Sequence, residues 1–340
     1  MEHIRVAQLV KPGTIELFYE NAEVHPGAGE ATVRVKQVGI CGTDIHIFAE
    51  GRSDVVLPRV MGHELSGEVI AIGKDVENIA VGDRVVLDPV MACGHCAACQ
   101  KGHGNICAEV KCYGVQMDGG FRDIITVSAA QLYKIPEGVS YQEAALVEPF
   151  SIASNILNRA QVTAGEKLVI IGAGTIGLTI LQGAKGKGLR VLIADIVDSK
   201  LRRARSLGAD VVVHSGREDL KRQVAAFAPD GPDILVDAVG TAKLLETCVG
   251  LCGPMSRIVV IGFDARSASI APVQITKKEL TIIGSRMNAH RFPEVLQWFS
   301  SKAVNPSVMI DKVFPVEQIQ KAFETAVSDA HLAKILISFE

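Results

Sequence analysis

The chain has 340 residues, of which 48% are hydrophobic and 21% charged, and its formal net charge at pH 7 is -3. This length corresponds to about two domains of roughly 150 residues, and the composition is that of an ordinary globular protein. No apolar run approaches the ~20 residues of a membrane span, no basic patch predicts nucleic-acid binding, and no secretory signal opens the chain, so we expect a cytoplasmic protein with small-molecule partners.

Residues 1 to about 147 favour a mostly β domain. Apolar and polar residues alternate in ATVRVKQVGI, SGEVIAIG and DRVVLDPV, and Gly, Pro and Asp separate these runs. Such alternation is typical of strands with one face in a core.

Two stretches of this half, VGICGTDIHIF and PRVMGHELSGEVIAIG, carry candidate metal ligands. Cys41, His63 and Glu64 form a mixed sulfur, nitrogen and oxygen set typical of zinc. Glu148, in ALVEPFSIA, is a fourth candidate that only the fold could bring near. Taken singly, each favours an ordinary structural role instead, as a core cysteine, a core histidine or a surface acid.

Four of the eight cysteines lie in CGHCAACQKGHGNIC, at positions 93, 96, 99 and 107. In a reducing compartment, closely spaced cysteines are metal ligands or redox centres more often than disulfides. Four thiolates can close a tetrahedral zinc shell, which is the mark of a structural site. An iron–sulfur cluster and free redox thiols are the alternatives, but the seven-residue gap before Cys107 is longer than ferredoxin spacing.

The segment KLVIIGAGTIGLTILQGAKGKGLRVLIADI predicts a strand, a glycine-rich turn, a helix and a second strand that ends at Asp195. This is the dinucleotide-binding fingerprint in its full context, because the glycines admit a pyrophosphate and the acid accepts hydrogen bonds from ribose. The acid favours NAD over NADP, although Lys200, Arg202 and Arg203 lie nearby. The predicted cofactor-binding residues are Gly172, Gly174, Thr175, Ile176, Gly177 and Asp195.

Four further strand-like runs, DVVVH, DILVDAVG, RIVVIGF and ELTIIGS, alternate with helical stretches. Six strands with helical crossovers predict a doubly wound parallel sheet. RFPEVLQWFSS and PVEQIQKAFETAV then read as amphipathic helices, and AKILISF as a last strand. The predicted fold class is α/β with a mostly β domain before a Rossmann domain. Cys248 and Cys252 have helical spacing and are expected in the core.

Taken together, GICGTDIH, GHELSGEVIAIG, VGDRV, CGHCAACQKGHGNIC, VEPF and IGAGTIG resemble the zinc-dependent medium-chain dehydrogenases, especially their polyol and sugar-acid branch. The resemblance covers nearly the whole chain. It implies a GroES-like catalytic domain over residues 1–148, a Rossmann domain over 149–284, and a segment over 285–340 that returns to the catalytic domain. It also implies a homodimer or homotetramer.

The resemblance further implies the roles of individual residues. Cys41 and His63 match catalytic zinc ligands, and Glu64 either binds the same ion or lies close enough to replace another ligand. Glu148 stands where alcohol dehydrogenases have a second cysteine. Two zinc ions per chain are expected, one catalytic and one structural. Asp44 would fix the His63 ring by accepting from its free nitrogen.

Thr43 and His46 match the proton relay of the family, which carries the proton of a substrate hydroxyl to solvent while the cofactor accepts hydride. The alternative for Thr43 and His46 is that they are only a turn hydroxyl and a surface imidazole. A catalytically silent zinc and dinucleotide binder is the alternative from another class of function.

The segment TKKELTIIGSRMNAHRFPEVLQWFS resembles bacterial dehydrogenases that act at C5 of hexonates, those of L-idonate, L-gulonate and L-galactonate. Arg286 could hold a sugar-acid carboxylate bidentately, with Asn288 beside it and Arg52 as a second candidate. Arg286 could equally pair with a structural acid or a cofactor phosphate. Neutral polyols and L-threonine are the alternative substrates.

Overall fold

The computed structural model of the chain describes residues 2–340. The residues up to Glu148 and Phe292–Glu340 form one compact unit, and Pro149–Arg291 form another. We refer to them as the first and second units. The chain passes from the first unit to the second after residue 148 and returns to the first unit after Arg291.

The first unit is built on a seven-stranded sheet of mostly antiparallel strands. Along the sheet the order is β16-β17-β3-β4-β5-β9, and β8 pairs with β3. The strands are β3 (Glu30–Gly39), β4 (Glu64–Ile72), β5 (Arg84–Leu87), β8 (Ile124–Ser128), β9 (Leu132–Lys134), β16 (Ile310–Pro315) and β17 (Lys334–Ser338). Strand β3 contacts β4, β8 and β17, and it therefore lies at the centre of this unit.

The C-terminal strand β17 belongs to this sheet. It pairs antiparallel with β3, with Leu336 opposite Gly39, and parallel with β16. Residues distant in sequence are thus neighbours in the first unit.

Two smaller sheets and five helices complete the first unit. The small sheets are β1 (Glu2–Lys11) with β2 (Thr14–Ala22), and β6 (Val90–Met91) with β7 (Lys111–Cys112). The helices are α1 (Gly42–Glu50), α2 (Ala97–Gln100), α3 (Tyr141–Ala144), α10 (Phe292–Ser300) and α11 (Ile319–Ser328). Helices α10 and α11 confirm the two amphipathic helices predicted after the Rossmann strands.

Helix α1 was not predicted from the sequence, although it carries several candidate residues. Its start is fixed by Asp44, whose Oδ2 accepts a hydrogen bond from the backbone N–H of Cys41 at 2.9 Å. Its inner face is held by Phe48, whose ring centroid lies 5.1 Å from that of Phe323 on α11. With only nine residues, the helix depends on this packing for its stability.

The second unit contains a six-stranded parallel sheet in the order β12-β11-β10-β13-β14-β15. The strands are β10 (Lys167–Ile171), β11 (Arg190–Asp195), β12 (Val211–His214), β13 (Ile234–Asp237), β14 (Arg257–Val260) and β15 (Thr281–Gly284). Counted from β10, the order is that of the doubly wound dinucleotide-binding fold. The predicted fold class is confirmed.

Helices cross between these strands, and the long helix α4 (Val147–Arg159) leads into the unit. The crossover helices are α5 (Thr175–Gly186), α6 (Asp198–Ser206), α7 (Leu220–Phe227), α8 (Ala242–Leu251) and α9 (Pro272–Thr276). Cys248 and Cys252 are 0% and 5% exposed and lie in the hydrophobic core of the unit, as predicted. Among residues 2–340, no helix has both the length and the apolar character needed to cross a membrane.

We expect Gly177→Ala to destabilise the second unit by about 3 kcal/mol, because a Cβ there would lie 1.9 Å from the Gly172 carbonyl oxygen and backbone would have to move. Gly174→Ala is the matched control, since nothing lies within 4 Å of its Cβ position and its φ is -75°. It should cost less than about 1 kcal/mol. Urea unfolding of the cofactor-free variants measures both values, and equal losses would contradict the packing role of Gly177.

Candidate functional site

Cys41, His63 and Glu64 meet where β3 ends and β4 begins. Because Gly39 pairs with Glu64 in the antiparallel ladder, the residues just after β3 lie beside those just before β4. One potential ligand atom from each of the three side chains lies within 4.8 Å of the other two. Gly62 directly precedes His63 and has φ +88°, and a Cβ there would lie 2.9 Å from a methyl group of Val38. The donor set suits zinc.

Asp44 faces His63 from the first turn of α1. Its Oδ1 lies 3.6 Å from His63 Nδ1, which is longer than a hydrogen bond, so the predicted hydrogen bond between them is not formed at this separation. Burial by itself lowers the pKa of His63, but the negative charges of Asp44 and Cys41 outweigh it and raise that pKa well above its ordinary value. A proton on Nδ1 would face the carboxylate and leave Nε2 as the ligand atom.

Glu64 is bound by a lysine that the sequence analysis did not select. Both carboxylate oxygens lie 2.7 Å from Nζ of Lys334, on β17. The Glu64 and Lys334 side chains are 1% and 2% exposed. No local motif marks Lys334, and only the pairing of β17 with β3 brings it here; an isolated lysine in the apolar run AKILISF was the one available signal.

Glu148, the second residue of α4, lies close enough to this group to interact with it electrostatically. Removal from water is the largest influence and raises the pKa of Glu148 to about 7, the charge of His63 lowers it, and the charge of Glu64 raises it further. Glu148 is therefore a carboxyl group that titrates near neutral pH.

Thr43 and His46 both lie on α1, three residues apart and hence on neighbouring positions of one helix face. Thr43 is half-buried and His46 is exposed. Thr43 is therefore the less exposed member of the pair and His46 the more exposed one.

The four clustered cysteines form a compact sulfur group. The Sγ atoms of Cys96 and Cys99 are 3.5 Å apart, those of Cys96 and Cys107 are 3.9 Å apart, and those of Cys93 and Cys99 are 4.0 Å apart. A tetrahedral zinc site with bonds of 2.3 Å has sulfur separations of about 3.8 Å, so the group fits that ion.

Backbone N–H groups also point at these sulfur atoms. Cys107 Sγ accepts from the N–H groups of Cys93 and Glu109, each at 3.3 Å. Hydrogen bonds led by that from Ala108 lower the pKa of Cys96 to about 6. Loss of hydration and the adjacent thiols raise the pKa of Cys99 to about 12. These thiols thus titrate as a coupled group, in which Cys96 loses its proton more readily than Cys99.

Each glycine of the dinucleotide turn has a different task. Gly172 has φ +101°, and a Cβ at Gly177 would collide with the Gly172 carbonyl, as described above. Gly174, the N-cap of α5, has open space at its Cβ position. Thr175 and Ile176 open α5, where the first backbone N–H groups have no partner within the helix. The turn therefore has room and positive potential for a phosphate.

Asp195 ends β11, as predicted. Its Oδ2 accepts from the N–H of Ala173 at 2.6 Å, and its Oδ1 from those of Ile196 and Val197 at 2.7 and 2.9 Å. A carboxylate has about four acceptor positions, so limited capacity for a ribose hydroxyl remains. The side chain also fixes the glycine turn.

The three predicted substrate-binding residues differ in their surroundings. Arg52 forms a two-pronged ion pair with Asp54 in the first unit, with an N···O distance of 2.7 Å for one prong. Asn288 is 1% exposed, and its Oδ1 accepts from the N–H of His290 at 3.0 Å. In the second unit, Asn155 Nδ2 donates to the Arg286 carbonyl at 3.2 Å, which fixes the backbone that carries this guanidinium.

We expect the stability of the metal-free protein to depend on pH through Glu148. Its pKa of about 7 lies above the unfolded value of 4.5, so its favourable contribution is present below about pH 4.5 and is lost as pH rises through 7. The gain in stability on Glu148→Gln should therefore grow between pH 5 and pH 8, by an amount on the order of 3 kcal/mol. Urea unfolding in the presence of a chelator measures it.

Glu143→Gln is the control for this pH dependence. Burial raises the pKa of Glu143, but hydrogen bonds from Ser140 and Ser307 outweigh it and hold that pKa below 4.5. Its contribution is lost only at lower pH, so the effect of Glu143→Gln should be constant from pH 5 to pH 8. A flat profile for Glu148→Gln would contradict the assignment.

Comparison with known proteins gives two family matches along the chain. Residues 27–137 match the alcohol dehydrogenase GroES-like domain, and residues 175–301 match the zinc-binding dehydrogenase domain. Together they include the β3–β4 site, the four-cysteine group and most of the second unit.

Three curated relatives align with nearly their full length. The starvation-sensing protein RspB of Escherichia coli K12 is 38% identical over 92% of this chain and 93% of its own. The L-galactonate-5-dehydrogenase of the same organism is 30% identical, covering 95% of this chain and 96% of its own. The D-altritol 5-dehydrogenase of Agrobacterium fabrum is 34% identical, covering 92% and 93%.

A solved structure is also closely similar. It is that of a protein described as a short chain alcohol dehydrogenase (rspB) from E. coli CFT073, complexed with NADH, with a TM-score of 0.94 and 36% identity over 99% of both chains. This chain therefore belongs to the zinc-dependent medium-chain dehydrogenases, in their polyol and sugar-acid branch, and is an oxidoreductase.

Proposed function

We propose that the enzyme oxidises a secondary hydroxyl of a sugar acid at C5, in a hexonate such as L-gulonate, L-idonate or L-galactonate, and passes the hydride to NAD. The observation that carries this proposal is the group of Cys41, His63 and Glu64, with the half-buried Thr43 two residues after Cys41, in a chain of this family. The relative named as an L-galactonate-5-dehydrogenase supports the hexonate class.

The residues fit a catalytic zinc ion held by Cys41 and His63 with Glu64 or Glu148. Such an ion would lower the pKa of a substrate hydroxyl towards neutrality. Thr43 would accept the hydroxyl proton while it passes its own proton through water to His46, which is exposed on the same helix and releases a proton to solvent. The carboxylate of Asp44 lies on the Nδ1 side of His63, so its charge would favour a proton on Nδ1 and leave Nε2 free to bind the ion. The four cysteines hold a second, structural zinc ion.

The cofactor contributes hydride acceptance, and the chain contributes its orientation. We assign the pyrophosphate to the turn at Gly174 and the start of α5, where a Cβ would find open space. The negative charge of Asp195 at the end of β11 favours NAD, because it repels the additional phosphate of NADP.

Arg286 is our choice for the substrate carboxylate. A guanidinium can bind a carboxylate through two parallel hydrogen bonds, and Asn155 holds the Arg286 backbone at its carbonyl. Arg52 is the weaker candidate because Asp54 already occupies its guanidinium, and the buried Asn288 is assigned to shaping the loop.

A neutral polyol is the second candidate substrate. The relative named as a D-altritol 5-dehydrogenase, 34% identical, favours it. L-Threonine is the nearest chemical rival, since its oxidation also removes hydride from a secondary alcohol. A cytoplasmic location stays a prediction.

We also propose a homodimer or homotetramer. Strand β15 is an edge of its sheet, and Ile282 on it is 39% exposed, with Val273 nearby in sequence 50% exposed. Unpaired edge groups and exposed apolar side chains form a surface that another chain can cover. A single-chain mass by light scattering would contradict this.

We expect NADH formation, followed at 340 nm, with at least one of L-idonate, L-gulonate and L-galactonate, and its loss on adding a chelator. Arg286→Ala should raise KM for that hexonate about 10- to 100-fold, because a charged hydrogen-bonded pair contributes ~1.5–3 kcal/mol. With sorbitol, which has no carboxylate, the same variant should change KM little. Turnover of L-threonine or sorbitol alone would refute the hexonate assignment.

Metal analysis should find about two zinc ions per chain, because each ligand group suits one. Cys41→Ser and Cys99→Ser should each remove about one zinc ion per chain. Cys41→Ser should also abolish activity, and both variants should be less stable than the wild type. Cys112→Ala should keep both ions, since the buried Cys112 belongs to neither group. Two ions in the Cys99→Ser chain would contradict the structural site.

A further inference from the structure

A buried ion pair joins the C-terminal strand to the candidate metal group. Nζ of Lys334 lies 2.7 Å from both carboxylate oxygens of Glu64, and both side chains are almost fully buried. The ammonium is therefore beside an atom set that suits a divalent cation.

The surroundings fix both partners. The third donor of the ammonium goes to the carbonyl oxygen of Ile40 at 3.0 Å, so all three N–H bonds of Lys334 are used. The carboxylate of Glu64 fits because residue 39 is glycine, where a Cβ would lie 2.0 Å from Oε2. The pair thus lies where β17, β3 and β4 adjoin, with both side chains out of contact with solvent.

Glu64 still has acceptor capacity towards the metal group. A carboxylate offers about four lone-pair positions, and Lys334 takes two. One Glu64 oxygen lies within 4.8 Å of ligand atoms of Cys41 and His63. The same carboxylate therefore faces two cation positions, one of them occupied by the Lys334 ammonium.

We propose that Lys334 is a built-in counter-cation that competes with the divalent metal for Glu64, stabilising the metal-free site and weakening metal binding. Without a metal, the site would hold the charges of Glu64, Asp44 and Cys41 with little solvent to compensate them, and Lys334 offsets that cost. With a metal bound, the ammonium is a like charge at close range, and it draws electron density from the shared carboxylate. Lys334 acts as a positioning residue in this scheme, and the inference rests on the proposed metal site.

The test compares Lys334→Met with the wild-type chain, using Zn(II) as the probe. The affinity for Zn(II) is measured by competition with a chromophoric chelator. The Cys41→Ser chain, which keeps the four-cysteine group, gives the binding to that group alone. Lys334→Met should bind Zn(II) at the Cys41 site at least about tenfold more tightly. Its thermal midpoint after stripping should fall by roughly 5–10 °C, and the rise on adding Zn(II) should exceed that of the wild type.

Three controls separate charge from packing. Lys334→Arg keeps the charge and should stay near wild type. Lys312→Met removes a lysine from β16 that is 42% exposed, and it should alter neither quantity. The double variant Lys334→Met with Glu64→Gln removes both charges, so the thermal midpoint of its metal-free form should recover to within a few degrees of wild type. This comparison can be made even if the single variant is too unstable to purify without metal.

The outcomes are distinct. Tighter Zn(II) binding together with recovery in the double variant supports the proposal. Unchanged or weaker Zn(II) binding by Lys334→Met, or a double variant as unstable as the single one, overturns it and leaves Lys334 as a packing residue. If the wild-type chain binds no Zn(II) at the Cys41 site, the proposed metal site fails as well.

Discussion

The pairing of β3 with β4 is the constraint on which the candidate metal site depends. With Gly39 opposite Glu64, the turn after β3 delivers Cys41 and the segment before β4 delivers His63 to one place. A shift of one residue in this register would turn every side chain of β4 to the other face. Two glycines allow this register. Gly39 leaves room for the Glu64 carboxylate, and Gly62 adopts a left-handed conformation at a position where a Cβ would collide with Val38.

The second feature of the site is its concentration of acidic groups out of water. Cys41, Asp44, Glu64 and Glu148 gather around His63, and each buried charge is costly unless a partner offsets it. The structure uses a different solution for each carboxylate. Asp44 caps helix α1, Glu64 pairs with Lys334, and Glu148 has its pKa raised to about 7, chiefly by loss of hydration. The chain itself therefore supplies part of the positive charge that these acidic groups need, through the ammonium of Lys334.

The two candidate zinc sites differ in how they are assembled. The four cysteines lie within a short loop, and local turns aim backbone N–H groups at the sulfur atoms, so this group is largely a product of local sequence. The Cys41 group takes Cys41 from the segment between β3 and α1 and takes His63 and Glu64 from the start of β4, with a counter-charge from Lys334 on β17. The four-cysteine loop suits a structural ion, because its ligands close the coordination shell. The Cys41 group suits a catalytic ion, because residues from several elements adjust its charge and the orientation of its ligands.

The sequence alone determined the features that repeat over short distances or carry a motif. The six parallel strands, the glycine turn of the second unit and Asp195 were predicted because apolar runs and glycine spacing encode them locally, and the family was recognised from its ordered motifs. Helix α1 was not, because nine residues with few apolar positions depend on packing, here of Phe48 against Phe323. Lys334 was not either, because nothing near it in sequence distinguishes it. Its role arises from the pairing of β17 with β3, and an interaction between residues 270 positions apart is decided only by the tertiary structure.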